Sequence, residues 1–557
     1  MDLNQPYLTQ QIIAYIGNKR RLLSLIEQGI EKSLSGKSPG SIKFLDLFSG
    51  SGIVARLGKY MGFEVYANDW EYYSYILNRG YLGTNPSDLD LLFGGEKAFE
   101  ELLRKINTLP APAPKNHYIS RYYSPGDRDI DKADFRTERL FYTRENGLKI
   151  DGIRQFIEEE YGGKDQSASK DLLTALLLYE AATHTNTSGV FKAFHKGFGG
   201  HGRDAMKRIT APIELHRPPL WERQAPVHIF NEDANDLIRN RNLGTMDIVY
   251  LDPPYNQHQY GSNYHMLNTI ALWDKIPAPL DLNEKGVLKE KAAIRKDWIN
   301  TRSDYCYRDS AVSSFRDLLD NLDARNILIS YSTDGIIPFE IMKDLCARRG
   351  EISLVTNEYT TYRGGKQSNS RKVSNIEFVL MIRGDKKSSR QSIRRVDEVI
   401  NRKKLLLLFK QNYSFAKLSR YGTFKRGDGF AFKLGKREIL IPGPDGFRLN
   451  PPEELSSLTM EESDVLNSLL NRCLCHTKEE ELEELLSLME SRPEERVFYL
   501  KKVPDTFKKL AHKKNKKAYY HWLKEIEARE RLYPEDYGII KDKIKRIKVL
   551  AQKRFEN

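Results

Sequence analysis

Asp252-Pro253-Pro254-Tyr255 stands at the end of the apolar run Asp247-Ile-Val-Tyr-Leu251 and joins a carboxylate, two rigid prolines and an aromatic ring. The prolines fix the backbone and remove two N–H donors, so the carboxylate and neighbouring carbonyls are held as acceptors. Acceptors beside a ring suit an amino group carried on a flat heterocycle. A second apolar run, Ile42–Leu45, ends in Asp46-Leu-Phe48-Ser49-Gly50-Ser-Gly52, a D-x-F-x-G-x-G turn that leads into the helix start Ile53–Leu57. Its glycines allow a ligand close to the backbone, and Asp46 offers an acceptor for an ammonium or hydroxyl. The third glycine of the dinucleotide fingerprint is missing and no G-x-x-x-x-G-K-[ST] loop occurs, which disfavours nicotinamide, flavin and nucleoside triphosphate ligands.

Two further acids follow short apolar runs. Phe63–Ala67 leads to Asn68-Asp69, where Asp69 is placed to accept ribose hydroxyls, and His228–Phe230 leads to Asp233. Nineteen residues separate Asp233 from Asp252, room for one helix and one strand. Any one of these carboxylates reads as a solvated loop acid; four at successive strand ends do not. Strands alternating with helical stretches predict an α/β fold with a parallel sheet, to which Asn326–Tyr331 and Val373–Arg383 add further strands.

The segments Tyr15-Ile-Gly17-Asn-Lys19-Arg20, Asp46–Gly52, Asn68-Asp69, Asp252–Asn256 and Gln259–His265, in that order, resemble the N6-adenine DNA methyltransferases of the Dam-like group. The resemblance is strongest to the modification enzymes of FokI-type restriction systems and covers residues 7–384. It implies a Rossmann-like S-adenosylmethionine-dependent methyltransferase core and base flipping in duplex DNA. In that frame Tyr15, Gly17 and Lys19 close the methionine end of S-adenosylmethionine, Phe48, Ser49, Gly50 and Gly52 lie along it, and Asp46 meets its ammonium. Asp69 would hold the ribose and Asp233 the adenine amino group of the cofactor. Asp252 and the Pro253 carbonyl would accept the target amine, Pro254 would rigidify the turn, and Tyr255 would stack on the base.

The resemblance also implies a cofactor half at 1–80, a target-recognition insertion at 81–226 and a catalytic half at 227–384. Within the insertion, Asn186–Arg203 interleaves cations with Phe and Gly, and Lys192, His195, Lys196, Arg203, Lys207 and Arg208 are the expected DNA contacts. Asp252 favours adenine, because serine commonly replaces it in cytosine-N4 enzymes. A cytosine-N4 enzyme, an RNA or protein-amide methyltransferase, and a catalytically silent DNA-binding protein remain alternatives.

A chain of 557 residues implies more than one domain, and a net charge of +13 favours a polyanionic partner, here double-stranded DNA. No apolar stretch of membrane-spanning length and no signal-peptide core occur, so a cytoplasmic protein without membrane contact is expected. Four cysteines are too few for a disulfide scaffold. Cys473-Leu-Cys475-His476 lacks a second ligand pair, and no metal is expected. Residues 385–395 read as a polar linker. Residues 396–557 read as a basic domain of short strands and then helices, lying outside the resemblance, with a docking surface for a cognate restriction endonuclease among its open roles.

Overall fold

The computed structural model describes residues 2–14, 16–34, 38–200, 204–355, 376–425, 427–443 and 447–556. The chain divides into two compact units, Met1–Gly364 with Glu377–Ile393, and Gly365–Ile376 with Arg394–Asn557. Among the described residues no helix is long and apolar enough to cross a membrane.

The first unit is mixed α/β around a seven-stranded sheet. Its strands are β1 (Lys43–Asp46), β2 (Glu64–Asn68), β3 (Val227–Phe230), β4 (Met246–Leu251), β5 (Ala324–Ser332), β6 (Glu351–Val355) and β7 (Glu377–Arg383). They lie in the order β3-β2-β1-β4-β5-β7-β6. All pairings from β3 to β5 are parallel, whereas β7 runs antiparallel to β5 and to β6. Every residue of β4 is buried, Asp247 included, as a mainly apolar strand at the centre of a parallel sheet requires. Val373–Asn375 of the expected last strand lie outside the described residues.

The interval 81–226 separates β2 from β3 and is mainly helical, with Glu96–Asn107, Arg144–Tyr161 and Ser167–Thr183 as its long helices. It does not fold apart from the rest of the unit. Leu172, Leu176, Ile150 and Phe141 share one core with Tyr73 and Leu77, and with Met266 and Ile270 from the β4–β5 crossover. Gly80 permits the close crossing, because a Cβ there would meet that of Ala175 at 2.5 Å.

In the second unit, β8 (Gly422–Lys425), β9 (Gly429–Leu434) and β10 (Arg437–Pro442) form an antiparallel sheet, followed by helices through Pro534–Glu556. Two differences from the sequence reading stand out. Helices Arg390–Leu408 and Phe415–Tyr421 precede these strands, and the first begins inside the interval 385–395 read as a linker. Ser389 and Ser392 exchange backbone-to-hydroxyl hydrogen bonds of 3.0 and 3.1 Å, a reciprocal cap that starts the helix within a polar, serine-rich stretch.

Candidate functional site

The strand order creates the site. From β1 the chain steps outward through β2 to β3, then returns on the other side of β1 as β4. The carboxyl ends of β1 and β4 therefore part at a switch point, where a crevice opens above the sheet. Asp46 pairs in register with Tyr250, so Asp46 and Asp252 stand at the two edges of this crevice.

A cleft of about 860 Å³ occupies it. Of the residues expected from the sequence, Gly17, Lys19, Asp46, Phe48, Ser49, Gly50, Asp69, Asp233, Asp252 and Pro254 line it. Gly52 stands just behind as the left-handed cap (φ 76°) of helix Ile53–Tyr60, where a Cβ would meet Asn78 Oδ1 at 2.6 Å. Tyr255 lies beside the cleft, its ring centroid 5.8 Å from Lys19 Nζ and edge-on to Tyr331. Pro253 joins Asp252 to Pro254 in the same turn. Tyr15 lies outside the described residues.

The glycine loop is held by the end of β2. Gly50 N–H donates to Asp69 Oδ2 at 2.8 Å, Glu71 N–H donates to Asp69 Oδ1 at 2.9 Å, and Ser49 donates through both N–H and Oγ to the Asn68 carbonyl. A carboxylate has about four acceptor positions, so Asp69 keeps capacity for a ligand hydroxyl. Asp233 caps helix Ala234–Asn240, accepting from Asn235 and Asp236 N–H on the single oxygen Oδ1.

Asp46 differs from these. It is fully buried, and neither carboxylate oxygen has a hydrogen-bond partner among the described residues. Burial, then the negative charge of Asp252, push its pKa well above the ordinary carboxylate value; the Ala55 amide opposes them, ahead of the weaker effects of Asp69, which raises it, and Lys19, which lowers it. A buried orphan carboxyl facing a cleft fits a cationic, hydrogen-bonding ligand group such as an α-ammonium.

Asp252 has a partner. Lys19 Nζ lies 2.8 Å from Asp252 Oδ2 and donates to the Gly17 carbonyl at 2.9 Å. Burial pushes the Asp252 pKa up, Lys19 pulls it back, and Glu377 at the start of β7 pushes it up again. Burial works against the charge on Lys19, but Asp252 and Tyr255 outweigh it and hold its pKa above the ordinary value.

The sequence reading missed one wall of the cleft, formed by Glu71, Gln259, Thr301, Ser303 and Tyr305. Gln259 reads the Ser303 backbone as a strand would, donating to its carbonyl at 3.0 Å and accepting its N–H at 2.9 Å. Thr301 Oγ1 donates to Glu71 Oε1 at 3.2 Å, and Asn268 Nδ2 donates to Glu71 Oε2 at 2.8 Å. Tyr305 donates to Asn235 Oδ1 at 2.8 Å and packs edge-on against Phe48. Burial raises the Glu71 pKa to about 7.

The cation-rich loop of the insertion is built on buried Asn186, which donates to the Leu140 carbonyl at 2.9 Å and accepts from Gly199 N–H at 3.2 Å. Phe191 and Phe198 are buried beneath it, which leaves Lys192, Lys196 and Lys207 exposed and His195 half-buried. Arg208 is half-buried and donates to the Thr183 carbonyl, so its guanidinium braces the loop. Arg203 lies outside the described residues.

A mostly parallel α/β sheet with an acid-lined cleft at its switch point is consistent with a methyltransferase fold. The chain belongs to the D12 class N6 adenine-specific DNA methyltransferase family, whose model matches residues 15–285. It is 36% identical over 367 residues to the Type II methyltransferase M.NlaIII of Neisseria lactamica, covering 65% of this chain and 96% of that one. The Modification methylase LlaI of Lactococcus lactis subsp. lactis is 31% identical over 362 residues, and the Type II methyltransferase M.FokI of Planomicrobium okeanokoites 29% over 378. These alignments cover 64% and 67% of this chain but only 52% of each relative. No solved structure matches.

Proposed function

We propose that this protein is the modification component of a type II restriction-modification system, moving a methyl group from S-adenosylmethionine to N6 of an adenine flipped out of duplex DNA on a Rossmann-like core. The observation that carries this reading is the opposition, across one cleft, of the unbonded buried Asp46 and the Asp252 turn. Bound S-adenosylmethionine would supply an electrophilic methyl group. Asp46 would accept the ligand ammonium, Asp69 its ribose hydroxyls and Asp233 an adenine amino group, with Gly17 and Phe48–Gly52 closing around it.

The target nitrogen is a weak nucleophile because its lone pair is delocalised into the ring. Asp252 and the Pro253 carbonyl would accept its two N–H groups and draw it toward tetrahedral geometry, freeing the lone pair. A preorganised acceptor of this kind contributes about 3–4 kcal/mol to the transition state. Lys19 favours the ionised, acceptor-only form of Asp252. Tyr255 stacking would return roughly 1–3 kcal/mol of the cost of flipping. Lys192, Lys196 and Lys207 would contact phosphates in the target-recognition insertion.

Incubation with labelled S-adenosylmethionine and unmethylated duplex, followed by nucleoside analysis, should give N6-methyladenine. N4-methylcytosine, or no label, would sink the reading. Asp252→Ala should abolish transfer while leaving S-adenosylmethionine affinity within a few-fold.

A further inference from the structure

The second unit concentrates positive charge that its own acids leave unmatched. Residues 501–557 contain 18 Lys/Arg against 8 Asp/Glu. Several basic side chains elsewhere in the unit find partners: Lys541 with Glu530 at 2.8 Å, Arg529 with Glu490 at 2.9 Å, Arg496 with Asp536 at 3.3 Å, and Lys548 with Glu527. The densest run of lysines spans the turn that joins helix Arg496–Phe507 to helix Lys516–Leu532 and the first residues of the latter. Lys508, Lys509, Lys513, Lys514, Lys516 and Lys517 fall there, all exposed, and among the described residues none makes an ion pair.

Other cations crowd the same corner. Arg554, near the end of helix Pro534–Glu556, donates to the Ala511 carbonyl at 2.9 Å and lies against His512. Partial burial and then Arg554 and Lys514 hold His512 below its ordinary pKa, and Lys509 is lowered by burial and then by Lys478. Nearby Glu481 is itself paired with Lys478, which leaves Asp505 as the other acid felt by Lys509. Gathering like charges opposes folding, so the corner suits a polyanion from outside the chain. Exposed point-charge lysines match phosphates rather than a protein interface, whose core is depleted of charge.

We propose that the turn Lys508–Lys517 is a second DNA-contacting surface that grips the phosphates of duplex DNA independently of sequence. This inference rests on the DNA-methylating reading above and gives the second unit a function beyond it.

The test uses the full chain, random-sequence duplex and salt from about 50 to 200 mM, and compares the wild type with Lys513→Gln/Lys514→Gln/Lys517→Gln. The slope of log affinity against log salt should fall by about 2–3, because each phosphate contact contributes about 0.9. Methyl transfer at saturating DNA should keep its kcat while KM for DNA rises. A second variant, Lys508→Gln/Lys509→Gln, should lower the slope by about 2, and matched melting curves exclude a folding defect. An unchanged slope in both variants overturns the proposal, as does a larger loss on duplex RNA than on DNA. If the wild type transfers no methyl group to DNA, the reading of the cleft fails, while the salt slope still reports on the turn.

Discussion

Lys19 and Asp252 meet at 2.8 Å across the cleft, joining the segment before the first strand to the turn after the fourth. The Gly17 carbonyl holds the other side of the ammonium. The contact ties the amino-terminal segment to the acceptor turn and biases that acceptor toward its charged form.

Lys19→Met should therefore move the acid limb of the pH–rate profile upward. Without the ammonium, burial and Glu377 both oppose ionisation of Asp252. Leaving a buried charge unpaired costs about 3–5 kcal/mol, so kcat/KM at neutral pH should fall on the order of 100-fold or more. A limb that stays in place would show that Lys19 does not set the charge of Asp252.

Asp46→Asn should stabilise the ligand-free protein while weakening S-adenosylmethionine binding. The aspartate pKa is raised in the fold, so its penalty is absent below the unfolded carboxylate pKa and grows as pH rises. At neutral pH the variant should gain about 1–3 kcal/mol, and at acid pH the gain should vanish. Melting curves at both pH values, with calorimetric titration of the cofactor, test the two halves separately.

Glu71 gives a defined pH window. Its pKa rises from 4.5 to about 7 on folding, so the protonated form favours the folded state. That contribution is complete below pH 4.5 and is lost as pH climbs through about 7. Glu71→Gln keeps the length of the side chain and should flatten this part of the stability curve by about 2–3 kcal/mol. An unchanged curve would assign the window to another group, such as Glu180, whose pKa is also raised to about 7.

Gly52→Ala should destabilise the glycine loop. The position has φ 76°, and the new Cβ would sit 2.6 Å from Asn78 Oδ1. A strained φ costs about 1–3 kcal/mol, read as a lower Tm and a weaker cofactor Kd. Gly40→Ala, at a position with open space around the added carbon, serves as the control.

The acids at the strand ends were legible because each follows a short apolar run, and a parallel sheet puts such ends on one edge. Asp46, Asp69, Asp233 and Asp252 line one cleft for that reason. Thr301, Ser303 and Tyr305 were not legible. They lie in or between two short 3-10 turns with no periodic pattern to read, held at the cleft by Gln259, Glu71 and Asn235. Gln259 stood within a segment that carried the resemblance, yet nothing local marked its amide as a partner for a distant backbone. The segment around Lys196 is rich in glycine and cations, whereas buried Asn186 pins it and Arg208 donates to the Thr183 carbonyl. Cation content signals charge; it does not say which cations the fold consumes.

Strand β7 separates β5 from β6 although it follows both in the chain. During synthesis, β6 therefore has no strand to pair with until residues 377–383 have left the ribosome, and β5 waits with one edge open. The same strand begins at Glu377, which bears on Asp252. Completion of the sheet and the final charge environment of the acceptor turn thus arrive in one event, late in translation. A chain cut ahead of Glu377 would carry every cleft-lining residue and still expose two unpaired edges, while a peptide spanning that strand, added in trans, is the piece that would close them.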